Sequence, residues 1–346
     1  MRRFLKAAGV TAAAAALGTV AERLVLAAPH YHGPQSDHFD GAKFHNYETG
    51  WQREGSFLKW QMTREAGYWR DWVDAPPGPR PPDSVEGGRV RVTFVNHATL
   101  LVQMDGVNIL TDPMWSERCS PVSFAGPKRH RPPGIRFEDL PEIDAVLVSH
   151  NHYDHLDLPT LLRLRARSHP RVITPLGNSL LMARHGLGRA TELDWWQQIP
   201  INDRVKVTVV PARHFCARGL SDRNRALWGG FVISGPSGNV YFAGDTGMGR
   251  HFAMIAERFK PLRLAMLPIG AYLPRWFMEP AHISPSDAVE AHTILRPTLS
   301  IPMHYGTFNL GDDGEMQPLD DLRHAIDANG VQNFRVVDFG EGIEVP

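Results

Sequence analysis

Apolar residues recur along this chain with two different periods. Short runs rich in β-branched, aromatic and aliphatic residues at 90–95, 99–104, 107–111, 145–149, 171–174, 205–210, 228–234, 240–243, 262–268, 299–303, 336–339 and 343–345 predict strands. Asp105-Gly106 joins two of them as a hairpin turn, and Ser237-Gly238 marks a second turn. Helical spacing predicts helices over 158–166, 178–185, 251–259 and 319–328, the last closed by Gly330. Ser284-Pro285 supplies an N-cap and a first-turn proline for a helix that runs to about Leu295. Strand clusters interleaved with helices predict an α/β domain over 88–346.

The chain before Gly88 reads differently. Residues 29–87 are rich in proline, glycine and aromatics, and Pro76–Pro82 reads as a linker. Within them, 56–70 carries Phe57, Leu58, Trp60, Met62 and Trp69 and predicts a short amphipathic helix. Such a helix packs on the domain or rests on a membrane surface. Residues 1–28 start with Arg2-Arg3-Phe4-Leu5-Lys6, continue through an alanine-rich, mildly apolar stretch and end in Ala27-Ala28. They are expected to be an export signal of the twin-arginine kind that delivers the protein to the periplasm or a membrane face. An ordinary N-terminal helix on a cytoplasmic protein is the alternative.

Composition narrows the function. The 346 residues are 42% hydrophobic, with net charge +0 and pI ≈ 7.3. There is no global basic bias, so no nucleic-acid partner is expected. Cys119 and Cys216 are the only cysteines, and their spacing supports no disulfide; both are expected to be buried thiols.

The candidate chemistry sits at strand ends. His150-Asn151-His152-Tyr153-Asp154-His155 follows the apolar run Ala145–Ser149. Imidazole and carboxylate suit zinc, and His-x-His lets two rings converge on one ion. Asp154 and His155 are then left for a second ion. Two ions need further ligands, and distant strand ends supply them: His214 follows 207–213, Asp245 follows 240–244, and His304 follows 299–303. Asn96-His97 and Asp112-Pro113 end other strands, where they could orient ligands. The basic segment Lys128–Arg131 could hold a phosphate.

The H-x-H-x-D-H motif with His214, Asp245 and His304 resembles the metallo-β-lactamase superfamily over roughly 88–346. Within it the chain resembles N-acylphosphatidylethanolamine-specific phospholipase D, on His150–Asp157, Pro211–Cys216 and His304–Phe308. The resemblance implies a four-layer αββα sandwich. It implies one metal on His150, His152 and His214, a second on Asp154, His155 and His304, and Asp245 bridging. Two zinc ions are expected, with manganese or iron as alternatives. Aspartate at 245 disfavours penicillin hydrolysis, histidine at 152 disfavours a redox diiron centre, and the short 245–304 interval leaves no room for a nuclease insertion.

The implied activity is hydrolysis of N-acylphosphatidylethanolamine-like phospholipids by a hydroxide held between the ions. Asp154 would bind metal and orient the nucleophile, and His282 is a further candidate catalytic residue. Tyr272, Arg275 and Trp276 lie on a segment suited to a charged head and an apolar body, and are candidate substrate contacts. Phospholipid or a small molecule is the expected partner, with peripheral membrane contact. Lactone or other ester hydrolysis on the same site, and lipid binding without turnover, are the alternatives.

Overall fold

The computed structural model describes residues 27–48 and 55–346. Two mixed sheets pack face to face. The first has the order β13-β1-β2-β3-β4-β5-β6, with β1 Val90–Asn96, β2 Thr99–Met104, β3 Val107–Thr111, β4 Ala145–Leu147, β5 Arg171–Pro175, β6 Thr191–Leu193 and β13 Gly342–Val345. The second has the order β12-β11-β10-β9-β8-β7, with β7 Gln198–Pro200, β8 Lys206–Val210, β9 Gly230–Gly235, β10 Gly238–Phe242, β11 Leu262–Pro268 and β12 Leu299–Met303. In each sheet an antiparallel meander gives way to parallel strands, β3 to β6 in the first and β10 to β12 in the second. The parallel pairs need crossovers; helices provide them except from β3 to β4, where the irregular segment 112–144 crosses with one short 3-10 turn at Phe137–Asp139.

Pleating explains why the strands are apolar throughout. Leu100, Val102, Ile109, Ala145 and Leu147 point between the sheets, while Leu101, Leu110 and Val146 point outward under helices. The described residues form seven α-helices. α1 is Phe57–Met62, α2 Leu158–Ser168, α3 Ser179–Arg184, α4 His251–Phe259, α5 Arg275–Met278, α6 Pro285–Leu295 and α7 Gln317–Asn329. α2 and α3 cover the first sheet through Leu158, Leu161, Leu164, Leu181 and Met182. α4, α6 and α7 cover the second through residues such as Phe252, Ile255, Val289 and Leu322. The result is the expected αββα arrangement. The predicted Ser284 N-cap forms with a full capping box: the Ser284 hydroxyl accepts from the Asp287 amide, and the Asp287 carboxylate accepts from the Ser284 amide. The Asp105-Gly106 turn has φ of 50° and 81°, the left-handed pair that a two-residue hairpin between Met104 and Val107 requires.

Two predicted elements differ. Residues 336–339 form no strand. The chain bridges the edge of β12 at Phe334, then crosses to the first sheet, where Gly340 donates to Phe94 O. A segment that changes sheets has no continuous partner. The helix expected over 56–70 stops at Met62, because the next residues pair with a distant loop: Gly67 donates to Asp312 O, and Glu315 to Tyr68 O.

The described residues before Gly88 are bound to the sandwich at several points. Phe39 and Phe44 join the main core, and Gly78 donates to Gly134 O in the middle of the expected linker. His38 stacks on Trp195 at 4.4 Å between Asp37 and Asp194. Of the expected export signal only Ala27 and Ala28 are described; both are buried, and the Ala28 amide donates to the buried Asp222 carboxylate at 2.6 Å. The rest lies outside the described residues. No helix among the described residues is long and apolar enough to cross a membrane.

Candidate metal centre

All seven predicted ligands converge at one end of the sandwich, where loops after β4, β8, β10 and β12 meet. Gly244 makes the meeting possible. Its φ is 63°, and a Cβ there would lie 2.9 Å from Ser149 Cβ and 3.0 Å from Gly229 O. Only glycine lets the chain before Asp245 pass this close to the His150 loop.

One group is His150, His152, His214 and Asp245. His150 Nε2 and His152 Nδ1 are 2.8 Å apart, and His214 Nε2 and His152 Nδ1 are 3.2 Å apart. Asp245 Oδ2 lies 3.9 Å from His150 Nε2 and 3.7 Å from His214 Nε2. The second is built on Asp154, His155 and His304, with His97 in the same cluster and Asp245 beside it. Asp154 Oδ2 is 3.2 Å from His155 Nε2 and 3.4 Å from His304 Nε2. The Asp245 oxygens are 3.2 Å and 3.1 Å from the same nitrogens. Donors on a tetrahedron with zinc bonds of 2.0–2.1 Å would be separated by about 3.3 Å. Both groups are spaced near that edge, and Asp245 belongs to both. His155 Nε2, His304 Nε2 and Asp245 Oδ1 are buried without a hydrogen bond among the described residues. Buried polar atoms ordinarily have partners, and a shared cation supplies one to all three. The donor set therefore fits a pair of divalent ions.

The outer contacts fix how each ligand points. Asp112 accepts from His155 Nδ1 at 2.7 Å, which leaves Nε2 facing Asp245, and also from the Ser149 amide and hydroxyl. Ala281 O accepts from His214 Nδ1 at 2.9 Å. His97 Nε2 meets Asp154 Oδ2 at 2.9 Å. Two partners gave no sequence signal. Asn46 clasps the backbone of His214, accepting from its N–H and donating to its C=O. Phe215 stands edge-on to His152 at 4.6 Å.

Electrostatics divides the two groups. Burial holds His150 and His214 well below the ordinary histidine pKa, and brings His152 down to about 4, so these rings are neutral donors. Burial also opposes charge on His155 and His304, but carboxylates outweigh it. Asp245, Asp154 and Asp112 lift His155 well above its usual value, and Asp245 and Asp154 raise His304 to about 9. Metal-free protein at pH 7 therefore carries protons on both rings, and a metal must displace them. Uptake should release protons at pH 7, and affinity should rise with pH until about 9. Calorimetry in buffers of different ionisation enthalpy measures this; uptake without proton release would contradict the assignment.

His282 lies beside the centre. Its Nδ1 is 3.9 Å from Asp245 Oδ2, and its side chain is 13% exposed. The other predicted substrate contacts are placed differently. Tyr272 is buried, and its hydroxyl donates to Asp321 of α7. Arg275 donates to His282 O and to Asp287 Oδ2 of the capping box. Each is tied into the framework by an acid that sequence proximity to the site did not reveal. Trp276 sits half-buried beside Trp60, Phe277 and Met278, under the Lys59 ammonium. The basic segment at 128–131 is likewise used internally. Arg129 is buried and donates to Ser116 O and Met114 O, and Arg131 lies 3.8 Å from the Phe339 ring centre. Cys119 and Cys216 are free and buried.

Comparison with known proteins agrees with this geometry. Residues 107–305 match the model of the Beta-lactamase superfamily domain. This chain belongs to the metallo-β-lactamase superfamily. It is 41% identical over 264 residues to an N-acyl-phosphatidylethanolamine-hydrolyzing phospholipase D of Caenorhabditis elegans, covering 72% of this chain and 74% of that protein. It is 32% identical over 222 residues to a metal-dependent hydrolase of Methanopyrus kandleri, covering 63% of this chain and 85% of that one. A metallo hydrolase from Ignicoccus hospitalis has the same fold, with a TM-score of 0.57 at 23% identity over 75% of this chain and 99% of its own. The protein is thus a metal-dependent hydrolase of that superfamily, with His/Asp clusters able to bind metal.

Proposed function

We propose that this hydrolase is a phosphodiesterase that cleaves N-acylphosphatidylethanolamine-like phospholipids in the phospholipase D sense, with two zinc ions. The observation that carries this reading is a complete set of seven ligands, in two groups sharing Asp245, in a chain 41% identical to the worm phospholipase D. Water adds to phosphorus, the bond from phosphorus to the ethanolamine oxygen breaks, and that oxygen takes a proton. The products are phosphatidic acid and an N-acylethanolamine. A bound ion pair supplies Lewis-acid polarisation of the phosphoryl oxygens and lowers the pKa of water toward neutrality. The chain supplies the rest. Asp154 and Asp245 hold negative charge where cations gather, and His282 stands at the mouth, placed to face a phosphoryl oxygen or the departing oxygen.

A lipid surface suits the outside of α1. Trp60 anchors the helix, stacking on Phe277 at 5.1 Å and donating to Asp312, while Phe57, Leu58 and Met62 are exposed. Exposed aromatic and aliphatic groups on one short helix are what an interfacial contact uses. Phe57→Ser and Leu58→Ser should each weaken binding to phosphatidylethanolamine vesicles by about tenfold, with activity on a short-chain soluble substrate unchanged. Equal sedimentation of parent and variants would remove the membrane contact.

The reading is tested with zinc-loaded protein and N-acylphosphatidylethanolamine in mixed micelles. Phosphatidic acid and N-acylethanolamine should appear in equal amounts. Release of fatty acid, or turnover of lactones alone, would replace the phosphodiesterase reading with an ester hydrolase. Lipid binding without any product would replace it with a carrier.

A further inference from the structure

His97 lies in one cluster with Asp154, His155 and His304 but is not one of the seven predicted ligands, and it is tied to two of them. It sits in the two-residue connection between β1 and β2, with φ of 46°. A histidine with positive φ is uncommon, and such backbone persists where the surroundings enforce it. Here they do. The His97 amide donates to Thr307 Oγ1 at 3.0 Å, and the His97 carbonyl accepts from the His304 amide at 2.7 Å. His304 also has positive φ, at 63°. One hydrogen bond therefore couples two left-handed residues, one from each sheet, across the metal centre. The His97 ring is buried, 4.0 Å from the His304 ring centre and edge-on to Phe308. Its Nε2 lies 2.9 Å from Asp154 Oδ2, the same oxygen that faces His155 and His304.

We propose that His97 is the positioning residue of the second metal group: its ring sets the Asp154 carboxylate and its backbone sets His304. The rings of the other group have other neighbours: Ser149 Oγ meets His150 Nδ1, Ala281 O accepts from His214 Nδ1, and Phe215 stands edge-on to His152. The effect of losing His97 should thus fall on one ion and not the other. The inference rests on the two-ion reading of the site, and the experiment separates the two.

Zinc per chain and affinity are measured by mass spectrometry and chelator competition for the parent, His97→Ala and His97→Gln. Imidazoles per zinc are counted by X-ray absorption. A parent holding fewer than two ions would overturn the two-ion reading before any variant is compared. In a two-ion parent, His97→Ala should bind the second ion about 10–100-fold more weakly and the first unchanged, the usual size of an effect from a group that orients a ligand. His97→Gln, which keeps a donor near Asp154, should recover part of the loss, with an unchanged imidazole count. Equal weakening of both ions, or unchanged affinity for both, would overturn the positioning role. A lower imidazole count in His97→Gln would overturn it too, because His97 would then be a ligand itself. Should His97→Ala not fold, Thr307→Val removes only the clasp on the His97 amide, and the same selective loss at the second ion is expected at smaller size.

Discussion

Asp154→Ala should lower hydrolysis by roughly a thousandfold or more while the sandwich stays folded, as expected when a principal charged group of a reaction centre is removed. The side chain is 13% exposed at the mouth of the site, so truncating it leaves no void in the core. Its Oδ2 serves His97, His155 and His304 at 2.9, 3.2 and 3.4 Å. With it gone, Asp245 is the one carboxylate left facing both His155 Nε2 and His304 Nε2 among the described residues. Steady-state rates on lipid substrate, read beside far-UV circular dichroism and a melting curve, check both halves. Activity within tenfold of the parent, in protein that has kept its second ion, would contradict the role given to Asp154.

Asp112→Ala should damage stability and metal binding together. Asp112 is fully buried, and its carboxylate accepts from His155 Nδ1, the Ser149 amide and the Ser149 hydroxyl at 2.6–2.7 Å. Burial alone would push the carboxyl toward its neutral form, and it does hold the Asp112 pKa above the usual carboxylate range, with His155 and Ser149 opposing. Removing it strands three donors where water cannot reach them. Loss of one partner of a buried pair costs about 3–5 kcal/mol, and a freed His155 ring should weaken metal binding by roughly 10–100-fold. Asp112→Asn keeps a side-chain acceptor and should lose less of both. Denaturant unfolding of the metal-free proteins isolates the stability part. An Asp112→Ala protein as stable as its parent would mean that the His155–Asp112 contact is not the anchor described here.

The cluster of candidate ligands was legible because its members close apolar runs: His150, His214, Asp245 and His304 all follow strands that had to be buried. Most strands were legible for the same reason, but the short edge strands β6 and β7 were not, because their partly exposed residues make no apolar run. What could not be read were contacts between residues far apart in sequence with no pattern of their own. Asn46 lies 168 residues before His214, whose backbone it clasps. The acids that Tyr272 and Arg275 meet, Asp321 and Asp287, stand on helices whose orientation no local pattern reveals. The helix at 56–70 was overestimated because apolar spacing persists past Met62, while the backbone beyond it is held by Asp312 and Glu315. His97 and Asp112 were visible as polar strand ends; their partners were not.

Anomalous diffraction from zinc-loaded crystals tests the central claim most directly. Two peaks about 3.5–4 Å apart are expected, one within bonding distance of His150, His152 and His214, the other of Asp154, His155 and His304, with Asp245 touching both. A single peak, or a second one away from Asp154 and His304, would contradict it.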